Sequence, residues 1–359
     1  MNTILSTPIK IGAYTLSNRG VMAPLTRMRA DENLVPPELA ATYYGQRATS
    51  GLIISEATQI SQQGQGYPNT PGIYTKEQVE QWKKITQSVH QQGGLMFLQL
   101  WHVGRVFHSV YQPQHKLPVA PSAIPAVGRT FQPDFSRTPY EIPHALTPEE
   151  IKEVVEDYRK ATQNAKEAGF DGVEIHAANG YLIEQFLKTV SNKREDEYGG
   201  SIKKRVRIVF EIIDAIKTLW PSDKIGLRIS PHYTGAIEED PKALEVYDYL
   251  VQQLDPYKLA YLHVVEIGDF TQASIDVPDL DSLLAKRYKA FYSHPIISAG
   301  GYGRVRAELV LEKGYADAVA FGKAYISTPD LAYRLINGLE INPVDSSTYY
   351  GGGAKGYID

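Results

Sequence analysis

The 359-residue chain contains no cysteine, which excludes disulfides, thiolate metal centres and cysteine nucleophiles. It also lacks a long apolar run: no 18-residue stretch is free enough of polar side chains to cross a bilayer. The opening stretch MNTILSTPIKIGAYTLSNRG carries polar residues every few positions and has no apolar core of a secretion signal. The expected location is therefore the cytoplasm, with no membrane partner. Basic charge is not in excess either. The chain has 37 Lys and Arg against 41 Asp and Glu, a net charge of −4, so nucleic acid is not an expected partner. With 43% hydrophobic and 22% charged residues, the sequence can bury a large globular core.

Eight apolar runs of strand length alternate with helical patterns, at 21–25, 52–56, 95–100, 172–176, 225–230, 261–266, 295–299 and 318–321. They are continuous rather than alternating, as in parallel strands buried on both faces. Between them, Thr147-Pro148-Glu149-Glu150 combines an N-cap, a proline at the first helical position and a capping-box glutamate. Thr75 opens a similar helix, and Thr328-Pro329-Asp330 opens the last, with Gly338 closing it. Eight βα units imply one domain over residues 1–359, a closed (β/α)₈ TIM barrel. A hairpin around Gly12 is expected to cover its bottom, and residues 102–146 form a long excursion after strand 3. The tail Tyr349-Tyr350-Gly351-Gly352-Gly353 is flexible in composition, and is read either as disordered or as folding over a site.

Chemistry in such a barrel belongs at the carboxyl ends of the strands. Strands 7 and 8 end in Gly300-Gly301 and Gly322-Lys323, which suit a phosphate site, with Arg304 or Lys323 as the cation. The alternative is that these glycines only turn the chain. His176, which ends strand 4, and Asn179 just beyond it either converge two hydrogen bonds on one substrate oxygen or serve as a cap and a turn residue. Tyr181 is either a neutral phenol that delivers a proton or a packing residue. Glu174 is expected on the opposite side of its strand, which weakens a metal reading. Arg228, in a buried strand, requires an anion: a bound ligand, or a structural carboxylate. Gln99 has donors and acceptors suited to the edge of a heterocycle.

At these residues the sequence resembles the Old Yellow Enzyme family, the FMN-dependent ene-reductases. The resemblance runs over nearly the whole chain through NRGVMAPLTRMRA (18–30), LQLWHVGR (98–105), GVEIHAANGYLIEQFL (172–187), YGGSIKKR (198–205) and ADAVAFGKAYISTPDL (316–331). It is nearest the bacterial branch of N-ethylmaleimide and pentaerythritol tetranitrate reductases, with the plant oxophytodienoate reductases close by. The resemblance implies noncovalent FMN. Pro24, Leu25 and Thr26 would lie along the isoalloxazine, Ala57 would touch the ring, and Gln99 would bond its pyrimidine edge. Arg228 would face N1 and O2, while Gly300, Gly301, Gly322 and Lys323 would hold the phosphate. His176 and Asn179 would grip the substrate, Tyr181 would protonate it, and Tyr67, Trp101 and Tyr350 would form aromatic walls. NADPH or NADH would reduce the flavin, and an activated alkene or nitro compound would then receive the hydride.

Three departures stand out: Lys323 where many relatives carry arginine, His-Asn where near relatives often pair two histidines, and the atypical Lys188-Thr189-Val190, to which no role is assigned. Two rival functions remain, an inert flavin-binding barrel and an aldolase or isomerase acting on a phosphorylated metabolite. The latter normally needs a strand-end lysine or acid. The oligomeric expectation is a monomer or weak homo-oligomer.

Overall fold

The computed structural model describes residues 3–266 and 279–359. Eight parallel strands form the barrel: β1 (Gly20–Met22), β2 (Leu52–Ile54), β3 (Met96–Trp101), β4 (Gly172–Ala177), β5 (Ile225–Ile229), β6 (Tyr261–Val265), β7 (Ile296–Ala299) and β8 (Ala318–Phe321). Each pairs with the next, and β8 pairs back onto β1, closing the ring. β1 is shorter than expected, because Pro24 ends its ladder by lacking an N–H.

Helices follow each strand and bury one stripe against it. Lys76–Gln91 starts from a complete capping box between Thr75 and Gln78, and Pro148–Glu167 from one between Thr147 and Glu150. Their inward residues include Val79, Trp82, Ile85 and Val89, and Ile151, Val154, Tyr158 and Ala161. The helix Leu331–Asn337 ends at Gly338, whose left-handed φ of 67° suits a residue without a Cβ.

The barrel's lower interior is filled by large side chains over glycines. Phe97 on β3 lies opposite Gly172 on β4, where a Cβ would come within 2.4 Å of its ring. Tyr261 on β6 lies opposite Gly226 on β5, where the distance would be 2.3 Å. The expected N-terminal hairpin, Ile9–Ile11 paired with Tyr14–Leu16, completes this floor. Its Ile11 and Leu16 join Val21, Leu52, Phe97 and Tyr261 in one buried cluster. Burying two such side chains contributes roughly 3–6 kcal/mol.

The excursion after β3 carries a small hairpin, Arg129–Phe131 with Arg137–Pro139. The tail is not loose: it folds back onto the segment after β1. Arg27, fully buried, donates to the carbonyls of Tyr349, Thr348 and Gly356. Arg29 donates to Thr348 and Lys355, and Tyr357 stacks on Tyr43.

Candidate active site

Two polar tiers sit above the apolar floor. On the lower tier, Gln99 Nε2 donates to Glu174 Oε1 at 2.7 Å, and His263 Nδ1 contacts Glu174 Oε2 at 2.8 Å. Glu174 therefore points into the barrel. This corrects the sequence expectation: residues two apart on a strand share a face, so Glu174 and His176 both look inward. With one oxygen on Gln99 and the other on His263, the carboxylate is a fixed acceptor that orients the Gln99 amide.

In the next tier, His176, Arg228 and His263 lie side by side in register on β4, β5 and β6. Arg228 is 7% exposed, and its Nε has no hydrogen-bond partner. Among the described residues it has no carboxylate within ion-pair distance, and none of them supplies a structural salt bridge. Burial draws the Arg228 pKa down, and Glu174 partly offsets this. Burial first, then Arg228 and His263, push the His176 imidazole well below its usual range, so it is neutral at pH 7. Among the described residues its Nδ1 is buried without a partner, as are Asn179 Oδ1 and Trp101 Nε1. Unpaired buried polar atoms are costly in a folded protein, and a ligand that bonded them here would remove that cost.

Tyr181 stands at the N-terminus of the helix Leu182–Leu187. Its ring meets His176 and Trp101 edge-on, each with centroids 5.1 Å apart. Tyr67 stacks on Trp101 at 5.7 Å, and its hydroxyl lies 3.3 Å from that of Tyr181. Burial raises the Tyr181 pKa, so the phenol keeps its proton at neutral pH. Tyr140 and Tyr233 pack into the same cluster as Ala57, and sequence reasoning missed both because isolated tyrosines carry no spacing signal.

Pro24, Leu25 and Thr26 are half-buried between the buried Ala23 and Arg27, so one side of this segment faces open space. Gly300 and Gly301 follow β7 with φ of 159° and 69°, and Gly322-Lys323 follows β8 with Lys323 exposed. Arg304 does not join them: it lies against Gly338, where a Cβ would be 2.9 Å from its Nη1. Tyr350 is half-exposed on the tail and lies close enough to Tyr181 to act on its phenol. Across the rim, the hairpin's Phe131 meets Tyr67, and Phe135 comes within 3.8 Å of a Cβ built on Gly351.

At the carboxyl ends of its strands the barrel thus gathers a buried arginine with no ion pair among the described residues, a neutral imidazole and a protonated phenol. The model of the NADH:flavin oxidoreductase / NADH oxidase family matches residues 5–342, and the chain belongs to this family. It is 43% identical over 358 residues to the putative 12-oxophytodienoate reductase 4 of Oryza sativa subsp. japonica, covering 96% of this chain and 89% of the relative. It is 41% identical to a probable flavin mononucleotide-dependent alkene reductase of Leishmania infantum, covering 99% and 96%. Morphinone reductase, solved in complex with tetrahydroNAD, superposes with a TM-score of 0.91 at 43% identity, covering 100% of this chain and 97% of that one. The protein is thus an FMN-dependent oxidoreductase. Among the described residues no helix is long and apolar enough to cross a membrane.

Proposed function

We propose that this chain reduces the carbon–carbon double bond of activated alkenes, such as enones, maleimides and nitroalkenes, with NADPH or NADH as reductant. The carrying observation is the grouping of the buried His176 with the half-buried Asn179 and Tyr181 at the end of β4, where among the described residues His176 Nδ1 has no partner and the Tyr181 ring meets the His176 ring edge-on. When bound, FMN supplies the hydride relay between nicotinamide and alkene.

The residues present fit that group. The Arg228 guanidinium faces the cavity as an unmatched cation, suited to the pyrimidine end where reduced flavin concentrates negative charge. Gln99, turned by Glu174, offers its carbonyl and second N–H to the ring's edge. Pro24, Leu25, Thr26 and Ala57 would flank the ring. Gly300, Gly301, Gly322 and Lys323 would hold the phosphate, with lysine acting as a point charge rather than a bidentate fork.

His176 and Asn179 direct N–H groups at the substrate's carbonyl or nitro oxygen, stabilising negative charge as it develops there. A neutral imidazole suits this task, since it polarises without adding a fixed charge. Tyr181, held in its protonated form, gives its proton to the α-carbon. Tyr67, Trp101 and Tyr350 line the approach and exclude water. A small molecule is the partner this site needs, and the surface charge gives nucleic acid no footing.

The test is purified protein under anaerobic conditions. A yellow solution bleached by NADPH or NADH and restored by 2-cyclohexenone or N-ethylmaleimide is expected. A colourless protein, or bleached flavin that no activated alkene restores, overturns the reading. The ratio of kcat/KM for the two nicotinamides assigns the reductant.

A further inference from the structure

The clamp turn is held from behind by a buried carboxylate. Asn179 and Gly180 both adopt left-handed backbone, with φ of 60° and 80°. Two consecutive residues in that region need outside support, because Asn tolerates it only modestly. The support converges on Glu184. Asn179 N donates to Ser230 Oγ at 2.7 Å, and Ser230 Oγ donates onward to Glu184 at 3.1 Å. Gly180 N donates to Glu184 directly. Tyr247 OH at 2.8 Å and Lys188 Nζ at 3.1 Å fill the other oxygen. Glu184 and Lys188 are 0% and 1% exposed. Lys188 Nζ also donates to Tyr233 O at 2.7 Å, which gives a place to one residue of the atypical 188–190 stretch.

We propose that Glu184, acting through Ser230, is the positioning residue that aims the Asn179 amide at the substrate oxygen. This rests on the clamp reading above. Ser230 directly follows β5, two residues beyond Arg228, so the carboxylate ties the strand-4 turn to the strand that bears the buried cation. The amide of Asn179 swings with its backbone, and a turn freed from this anchor relaxes toward ordinary φ and re-aims the side chain. The same turn leads into Tyr181, so both groups share one support.

Glu184→Gln keeps the volume but places an NH₂ where donors now point, so some of the bonds to Gly180, Ser230, Tyr247 and Lys188 lose their acceptor. The probe is phenol, chosen because its oxygen can accept from the clamp's N–H groups and it has no activated double bond to reduce, with binding read from the flavin absorbance of FMN-loaded protein. The expected result is a phenol Kd raised at least tenfold and a matching rise in alkene KM, with the FMN Kd of the apoprotein within twofold of wild type. Unchanged phenol affinity overturns the proposal. If Glu184→Gln fails to fold, Ser230→Ala decides, since it removes only the relay to Asn179. It should raise the phenol Kd three- to tenfold, and no change there overturns the proposal as well. A wild-type protein that binds phenol but reduces no alkene defeats the proposed function and leaves this positioning role standing.

Discussion

Replacing Arg27 by methionine should release the C-terminal segment while leaving the barrel folded. The guanidinium donates to Tyr349 O at 2.9 Å, Thr348 O at 3.1 Å and Gly356 O at 2.6 Å, and lies 5.1 Å from the ring centres of Tyr43 and Tyr357. Hydrogen bonds from a charged donor contribute about 1.5–3 kcal/mol each, so the three together are worth roughly 4–9 kcal/mol. The barrel does not lose that amount, because an undocked tail lets its carbonyls bond to water. Arg29 keeps its bonds to Thr348 and Lys355, at 3.2 and 3.3 Å. The local opening free energy should therefore fall by about 2–4 kcal/mol, a roughly 30- to 1,000-fold faster amide exchange. Hydrogen exchange read by mass spectrometry on residues 345–359 measures it, with residues 148–167 as the internal reference. A change under threefold in the tail would show that Arg27 is not its anchor. Equal acceleration in both segments would show that the tail and barrel open as one unit.

Tyr181→Phe should slow alkene-driven reoxidation of the reduced flavin by 10²-fold or more, while reduction by the nicotinamide changes little; rapid mixing separates the two steps. His176→Ala should weaken phenol binding at least tenfold with FMN retained, and loss of FMN would make His176 structural. Glu56 is buried beside Arg27 and Arg29, and desolvation pushes its pKa up to about 7. Its native pKa thus lies above its unfolded one, so the stability it confers is full below about pH 4.5 and is lost as pH rises through 7. Glu56→Gln should flatten this by about 3 kcal/mol, seen as denaturant midpoints that fall less between pH 5 and pH 8 than those of wild type.

The sequence announces the βα units wherever the signals are local. Thr75 with Gln78 and Thr147 with Glu150 are three-residue capping boxes, and each apolar run is one strand. The candidate residues at the strand ends are legible for the same reason, since barrel architecture alone says where to look. What escaped reading depends on distant partners. The glycine-rich tail reads equally as disordered or as folding over a site until Arg27 and Arg29, more than 300 positions earlier, bind its carbonyls. Lys188 has no meaning until the fold brings it to Glu184 and Tyr233. Arg304 looks like a phosphate ligand by proximity in sequence, yet its side chain turns toward Gly338.

The small hairpin under the barrel has a kinetic consequence. With Ile11 and Leu16 wedged among Phe97, Tyr261 and Leu52, the lower mouth is stoppered, and visitors come and go by the upper rim. If, as proposed, a nicotinamide and an alkene use the same flavin face, they cannot pass one another there. Each must vacate before its counterpart arrives, so double-reciprocal plots should run parallel and either compound in excess should jam the cycle. Two strands of three residues each, far from any reacting atom, thereby leave the upper rim as the way in and out.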